Sequence, residues 1–584
     1  MDNDVNIISG ENSDYINWFK IFLKPLQNLF LHTLAHSLFI NILALSLPIF
    51  VLQVYDRVVF HAGLSTLQGL SIGMGIVLVF DLLLRYSRSK LVQYSGLKID
   101  IELNKKLFTK LMNLPLRTLE KKTASFWHIL FRDIEIIRNN LSGSTLILAS
   151  DLPFAVLFIG LVFIVAKPVA WTLIIVAFLF VFLAYRATQV LSSASQAEQE
   201  NIHGRDAILS EILTRRSTIK ALHMKDSMQK TWEAEQAHAT SRALERGTES
   251  NIYINATHGL AVFTTIIMTS VGALAIVNQE LTIGGLIAAN MLAARIITPL
   301  GQLVGTWKNF SALKQSMKRL HSVFCQTEDK QEYSIELTKP EGEIIFDNIS
   351  FSYAIDHAPA LNNISMKITP LSLTGIIGHN GSGKSTLLKI LMGLYLPTKG
   401  RLTIDNIDIK QLSKKNISDW IGYVPQETVL FDGTIRDNIA LTYSTVSDEE
   451  IITAAKTADA HQMIIALENG YDTIVGEAGD SLSGGMRQRI AIARALIKNP
   501  DIIVMDEPSA NLDEQAEQNL CRALLSLTSK KTIILITHSK SILQICGSIV
   551  VLQAGEVKEI RKNPKSAQEI LKTFNTDKNG ESCA

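Results

Sequence analysis

The 584-residue chain is predicted to be a membrane all-α six-helix domain with long cytosolic helix extensions, followed by an α/β domain built on a phosphate-binding loop. Two observations predict the first part. Six apolar stretches of membrane length lie before about residue 310, and basic residues crowd only two of the connections between them. A third predicts the second part: residues 378–385, GHNGSGKS, fit G-x-x-x-x-G-K-[ST] among short apolar strands that alternate with helical patterns.

Composition bounds what the chain can be. The length is too great for one hydrophobic core, and 47% hydrophobic content with a mean hydropathy of +0.20 exceeds a soluble norm. A net charge of +1 supplies no global field for nucleic acid or an acidic partner. Cys325, Cys521, Cys546 and Cys583 lack metal-ligand spacing and read as reduced cytosolic thiols. The N-terminus, MDNDVNIISGENSDY, has neither the basic region nor the cleavage site of a signal peptide, so the first apolar helix is expected to be retained.

The apolar stretches lie near 31–54, 66–86, 144–166, 168–187, 255–278 and 283–306. Each is long enough to cross a hydrocarbon core of about 30 Å as a helix. Only Lys167-Pro168 separates the third from the fourth, which predicts a tight hairpin. Segments 87–143 and 188–254 carry about eleven and about eight Lys/Arg, against few in the other connections. Positive-inside asymmetry therefore places these segments, the N-terminus and everything after the sixth span in the cytosol. In 97–114 and 196–246 apolar residues such as Ile208, Ile212, Ile219 and Leu222 recur at helical spacing. Spans two to five are thus expected to continue below the membrane as helices rather than end in solvated loops. The bottoms of these hairpins, near Thr123–Phe131 and Asp206–Ala221, are candidate force-transmitting points.

Charges inside the spans need partners or water. Asp81 and Arg85 are four apart and read as a mutually satisfied pair. Arg295 lies deep in the sixth span, where facing lipid would be costly. It reads either as a contact for a passing substrate or as a structural ion pair, with Asp151 as the candidate partner.

After Phe324 the chain turns polar, and the boundaries expected are a tail 1–25, a membrane domain 26–325, a linker 326–342, an α/β domain 343–570 and a tail 571–584. Gly378, Gly381 and Gly383 let backbone N–H groups turn inward around phosphate oxygens at a helix N-terminus. Lys384 is placed to neutralise β and γ phosphates, and Ser385 with Asp506 to hold Mg²⁺. Glu507, directly after Asp506 at the end of the strand IIVMD, can polarise an attacking water. His538 ends the next strand within reach of the γ phosphate. Gln426 lies where an amide meets both metal and water, and Tyr353 can stack on adenine. A lone histidine or tyrosine of this kind is usually structural; the ordered set is what carries the reading.

That set resembles the ATP-binding cassette family. The run Gly378, His379, Asn380, Gly381, Ser382, Gly383, Lys384, Ser385 and the following Thr386 looks like its Walker A loop. Leu482-Ser483-Gly484-Gly485-Met486 looks like its signature, and IIVMDE like its Walker B strand. Gln426 matches the Q-loop, Ala510-Asn511-Leu512-Asp513 the D-loop, and His538 the switch histidine. The resemblance implies ATP and Mg²⁺ as cofactors, and a homodimer in which Ser483 and Gly485 of one subunit contact the nucleotide of the other. Met486 departs from the usual glutamine, with the Ser-Gly-Gly core intact.

The order membrane-then-cassette and the run LFDGTIRDNI resemble exporters rather than importers. Gln53-Val54-Tyr55-Asp56-Arg57-Val58, Asp151-Leu152-Pro153-Phe154 and the Ala294–Leu303 segment are similar to the inner-membrane ATPases of type I protein secretion. That implies a periplasmic adaptor, an outer-membrane channel and an unfolded polypeptide cargo, with no nucleic acid. Only about twenty to thirty polar residues without cysteine precede the first span, so no peptidase activity on leaders is expected. The alternative is an exporter of lipid, glycan or drug on the same scaffold. A non-transporting regulator or channel is disfavoured by intact Glu507 and His538.

Overall fold

The structure, a computed structural model, describes Trp18, Lys24 and residues 27–59, 63–329, 339–353, 358–440 and 446–562. Most of the expected N-terminal tail, the centre of the linker, and the C-terminal tail with Cys583 lie outside the described residues. Contacts divide the chain into two units, Met1–Leu114 with Thr118–Glu328, and Pro115–Arg117 with Asp329–Ala584.

The first unit is helical. Its elements are α1 (Gln27–Leu43), α2 (Ser46–Gln53) with a π-helical turn Val54–Val59, α3 (Leu64–Asn113), α4 (Ala124–Ser142), α5 (Ser144–Asp151) and α6 (Phe154–Val165). Then follow α7 (Lys167–Thr214), α8 (Arg216–Ala221), α9 (Lys225–Val277) and α10 (Ile283–Phe324). Among the described residues six helical runs are long and apolar enough to cross a membrane, and they coincide with the six expected spans. The 48 residues of α7 and 53 of α9 correspond to roughly 70–80 Å of helix, more than twice a hydrocarbon core. The excess is the predicted cytosolic extension. Between α6 and α7 only Ala166 breaks the helix, and Pro168 sits in the first turn of α7, where its missing N–H costs nothing.

One extension exceeds the expectation. The sixth helix does not stop with its span but runs on to Phe324. The reason lies in Leu313, Met317, Leu320 and Val323, which recur at helical spacing and pack with Ile99, Leu103 and Leu107 of α3 and Leu130 and Ile134 of α4. Beside this core, the buried carboxylate of Asp133 accepts from Ser316 Oγ at 2.8 Å and from Arg319 Nε and Nη2 at 2.7 and 2.6 Å. Removing that carboxylate leaves a mostly buried guanidinium and a buried hydroxyl unpaired. Asp133→Ala is expected to destabilise the protein by about 3 kcal/mol or more, measured as a fall in the thermal midpoint of the purified protein. An unchanged midpoint would refute this.

A second polar node joins three helices at the membrane. Arg88 Nη1 donates to Ser37 Oγ and Asp151 Oδ1, both at 2.9 Å, and Asn41 Nδ2 donates to Asp151 Oδ1 at 3.1 Å. Asp151 is therefore held by Arg88, and the Arg295–Asp151 pair considered from sequence does not form. Arg85 and Asp81 do pair, at 2.7 Å.

In the second unit a four-stranded antiparallel sheet has the order β2 (Leu361–Ile368), β1 (Ile344–Phe351), β4 (Lys399–Ile404), β5 (Ile407–Asp408). A six-stranded sheet has the order β10 (Glu556–Lys562), β9 (Ser548–Gln553), β3 (Leu373–Gly378), β8 (Thr532–Ile536), β7 (Ile502–Asp506), β6 (Ile421–Val424). From β9 to β6 its pairings are parallel, and only β10 is antiparallel. Every residue of β7 and β8 is buried, which is why both read as unbroken apolar runs. The helices that matter below are α11 (Lys384–Leu391), α12 (Ile435–Ala440), α13 (Gly484–Leu496) and α14 (Glu514–Thr528).

Candidate functional site

At the C-terminal ends of β3 and β7, a cleft of about 450 Å³ opens beside the turn into α11. The turn demands its glycines. Gly381 and Gly383 have φ of +81° and +97°, the left-handed region that glycine occupies without strain. At Gly378 a Cβ would lie 2.4 Å from Leu552 O and 2.5 Å from Ser382 Oγ, so no side chain fits there. Lys384 curls back, its ammonium donating to the carbonyls of Gly378 at 2.7 Å and His379 at 3.1 Å. Ser382 Oγ is buried and, among the described residues, lacks any hydrogen-bond partner. A buried orphan hydroxyl beside a buried lysine is what a polar guest would satisfy.

The other residues expected at the site divide into two groups. Asn380, Gly381, Gly383, Lys384, Ser385 and Thr386 line the cleft, as do Tyr353, Gln426, Asp506 and Glu507 across it. Ser385 Oγ donates to Asp506 Oδ2 at 3.2 Å. Burial pushes the Asp506 carboxyl above its usual range, and the neighbouring Glu507 charge adds to this, against the Ser385 hydrogen bond and Lys384. Glu507 itself adopts φ +49°, held by its N–H donating to Ile536 O at 2.9 Å. A glutamate in that region of φ is costly and typical of functional positions. His538 Nε2 stands 3.6 Å from Glu507 Oε1. Tyr353 is half-exposed, and its hydroxyl hydrogen-bonds with Thr386 Oγ1 at 2.9 Å.

Ser483, Gly484 and Gly485 do not line this cleft. Ser483 instead caps α13, accepting from Met486 N at 3.3 Å, and is exposed. A Cβ on Gly485 would meet Asn511 O at 3.2 Å, so the 510–513 segment packs directly under the signature. Asp513 caps α14 by accepting from Ala516 N at 2.7 Å.

Sequence reading missed the bonds that tie these two groups together. Thr428, two residues after Gln426, donates to Gln488 Oε1 of α13 at 2.6 Å. Asn438 of α12, wholly buried, donates to Phe431 O at 2.8 Å, and Arg494 of α13 donates to its Oδ1 at 3.0 Å. Neither Thr428 nor Asn438 carries a sequence signal beyond lying in the run after Gln426. Outside the cleft, burial pushes the thiols of Cys521 and Cys546 up to about 12.

Two family models match, "ABC transporter" over residues 361–510 and "ABC transporter transmembrane region" over residues 29–300. The chain belongs to the ATP-binding cassette transporters. Among curated proteins this transporter is 34% identical to the leukotoxin translocation ATP-binding protein LktB of Mannheimia glucosida, over 94% of this chain and 78% of that protein. It is 33% identical to the toxin RTX-I translocation ATP-binding protein of Actinobacillus pleuropneumoniae, over 94% of this chain and 77% of that one. A bacterial Atm1-family exporter solved with ATP bound shares the fold, with TM-score 0.81 and 22% identity over 95% of this chain and all of that chain. The transporter is thus a multi-pass membrane protein whose nucleotide-binding cassette couples ATP hydrolysis to transport.

Proposed function

We propose that this transporter is the energising inner-membrane component of a type I protein secretion system, exporting an unfolded polypeptide. The observation that carries the reading is the 33–34% identity to two toxin translocation proteins, sustained over 94% of the chain. On this reading a periplasmic adaptor and an outer-membrane channel are its partners. The membrane domain is 26–325 and the cassette 343–570, joined by 326–342.

The chemistry assigned to the cleft follows from its donors. The loop 378–383 and Thr386 hold the triphosphate by backbone and hydroxyl groups, Lys384 offsets its charge, and Tyr353 stacks on the adenine. Ser385, Asp506 and Gln426 present hard oxygens suited to Mg²⁺, and a cation there relieves the like-charge crowding of Asp506 by Glu507. When bound, the ion supplies charge compensation to the phosphates. Glu507 orients and polarises the attacking water, and His538 holds the γ-phosphate side of the site. Because Ser483, Gly484, Gly485 and Asp513 stand off the cleft of their own chain, they serve the nucleotide of a second copy, and the working form is a homodimer.

The path across the membrane is assigned to α10. Its span is the most buried of the six described, with half of it enclosed. The face it leaves exposed holds Arg295, Thr298 and Gln302, whereas exposed residues of α3 such as Ile76, Phe80 and Leu83 are apolar. A guanidinium against lipid costs several kcal/mol, so this face lines the passage. Arg295→Leu is expected to leave basal ATP hydrolysis within about twofold and to cut export by roughly tenfold or more. Export at the wild-type level in this variant would remove Arg295 from the path.

The test of the cargo class is the response of ATP hydrolysis in nanodiscs to added ligands. Stimulation by C-terminal secretion-signal peptides is expected. Stimulation by lipids or drug-like amphiphiles with none by the peptides would overturn the reading.

A further inference from the structure

The segment Gln53–Val58 ends the first span and takes no part in the chemistry above. Positive-inside orientation puts it at the extracytosolic face, together with the N-terminus of α10. Here the helix of the first span widens into the π-helical turn Val54–Val59, a feature that re-aims side chains and recurs at functional sites. The side chain it presents is Asp56. Its Oδ2 accepts from Thr282 Oγ1 at 2.7 Å, and its Oδ1 accepts from the backbone N–H of Gly284 at 3.0 Å. Thr282 in turn caps α10, accepting from Gly285 N at 3.0 Å. The carboxylate thus meets the positive end of a 42-residue helix.

A further feature shows that the contact is specific. A Cβ on Gly284 would fall 2.6 Å from Asp56 Oδ1 and 2.9 Å from Leu52 O, so only glycine lets the first span approach this closely. Just inside the contact, a half-open groove of about 70 Å³ lies between α2, α6 and α10, lined by apolar side chains including Leu52, Leu161 and Leu292. The polar contact adds a directional hold to this end of α10.

We propose that Asp56 is an extracytosolic latch, closing the outer end of the passage by clamping Thr282 and Gly284 of α10 to the first span. This deepens the path reading above and rests on it. Hydrogen bonds to a charged group are among the stronger ones, so cutting two of them shifts the closed–open balance on the order of tenfold or more.

The experiment measures labelling of Thr298→Cys by a membrane-impermeant maleimide at the extracytosolic face of oriented proteoliposomes. Cys325 and Cys583 are replaced first, while Cys521 and Cys546 stay, being buried with thiols pushed up to about 12. In the ATP-free state, Asp56→Ala and Gly284→Ala should each raise the labelling rate on the order of tenfold. Asp56→Asn, which keeps an acceptor oxygen, should fall between these and the parent. Ala289→Cys, buried on the same helix, should stay unlabelled throughout. Equal labelling of Thr298→Cys with the latch intact or cut overturns the latch alone, provided that ATP exposes this position in the Glu507→Gln background. No labelling in any state overturns the path reading and the latch with it. A parallel rise at Ala289→Cys means a loosened bundle, and also overturns the latch.

Discussion

Glu507→Gln is expected to bind ATP with near-normal affinity and to turn it over on the order of a thousandfold more slowly, the range lost with a general base. The substitution preserves shape and hydrogen-bonding capacity, so the left-handed backbone at φ +49° and the Glu507 N–H bond to Ile536 O remain. What disappears is the charge that polarises water. One negative charge fewer beside Asp506 also relieves the repulsion that raises its carboxyl, which favours rather than hinders nucleotide binding. The variant should accumulate as a nucleotide-loaded closed dimer, visible as slow ATP release. Lys384→Ala should do the reverse. Its ammonium is buried against the carbonyls of Gly378 and His379, and losing that charge from the phosphate cradle weakens binding itself. Near-normal steady-state hydrolysis by purified Glu507→Gln would remove this glutamate from the role of base.

Chemistry that depends on local backbone was legible in the sequence, and chemistry that depends on long-range packing was not. Gly378, Gly381 and Gly383 announce a turn because only glycine fits the φ values and close approaches it needs. Six spans announce themselves because the faces they turn to lipid are as apolar as those they pack, and β7 and β8 because burial on both faces leaves a continuous apolar run. The extension of the sixth helix is hidden in the sequence because it is amphipathic, and its interspersed polar residues mask a buried face that α3 and α4 cover. Asp151 offered the same ambiguity. Nothing in one dimension says that Arg88, 63 residues away, reaches it before Arg295 does. The link from Thr428 to Gln488 across 60 residues is equally silent, since neither residue type marks a site on its own.

That link bears on how the cassette works as a unit. Gln426 faces the cleft, while two residues later the same loop is bonded to α13, whose first turn carries the signature. Arg494 extends the attachment by donating to Asn438 Oδ1 and to Val429 O at 3.2 Å. A loop that senses nucleotide on one surface is therefore fastened to the helix that presents Ser483 on another.

The mixed dimer of one Lys384→Ala chain and one Ser483→Arg chain is expected to retain one working nucleotide site where each mutant homodimer retains none. Ser483 is exposed at the cap of α13 and lies outside the cleft of its own chain. If it completes the partner's site, the lost phosphate cradle of one chain and the blocked signature of the other fall on the same composite site. The second site then combines an intact cradle with an intact signature. Arginine at this cap removes the hydroxyl that accepts from Met486 N, a loss of roughly 1 kcal/mol for a cap, too little to unfold a helix whose apolar face is buried. Nucleotide protection of the signature from proteolysis should therefore reach about half of the wild-type amplitude in the mixture and near zero in both homodimers, since defects confined to one site leave the other whole. If each site were completed by its own chain, each chain of the mixture would hold one damaged site. Protection would then be absent from the mixed dimer as well, and that result would end the proposal that Ser483 serves the nucleotide of a second copy.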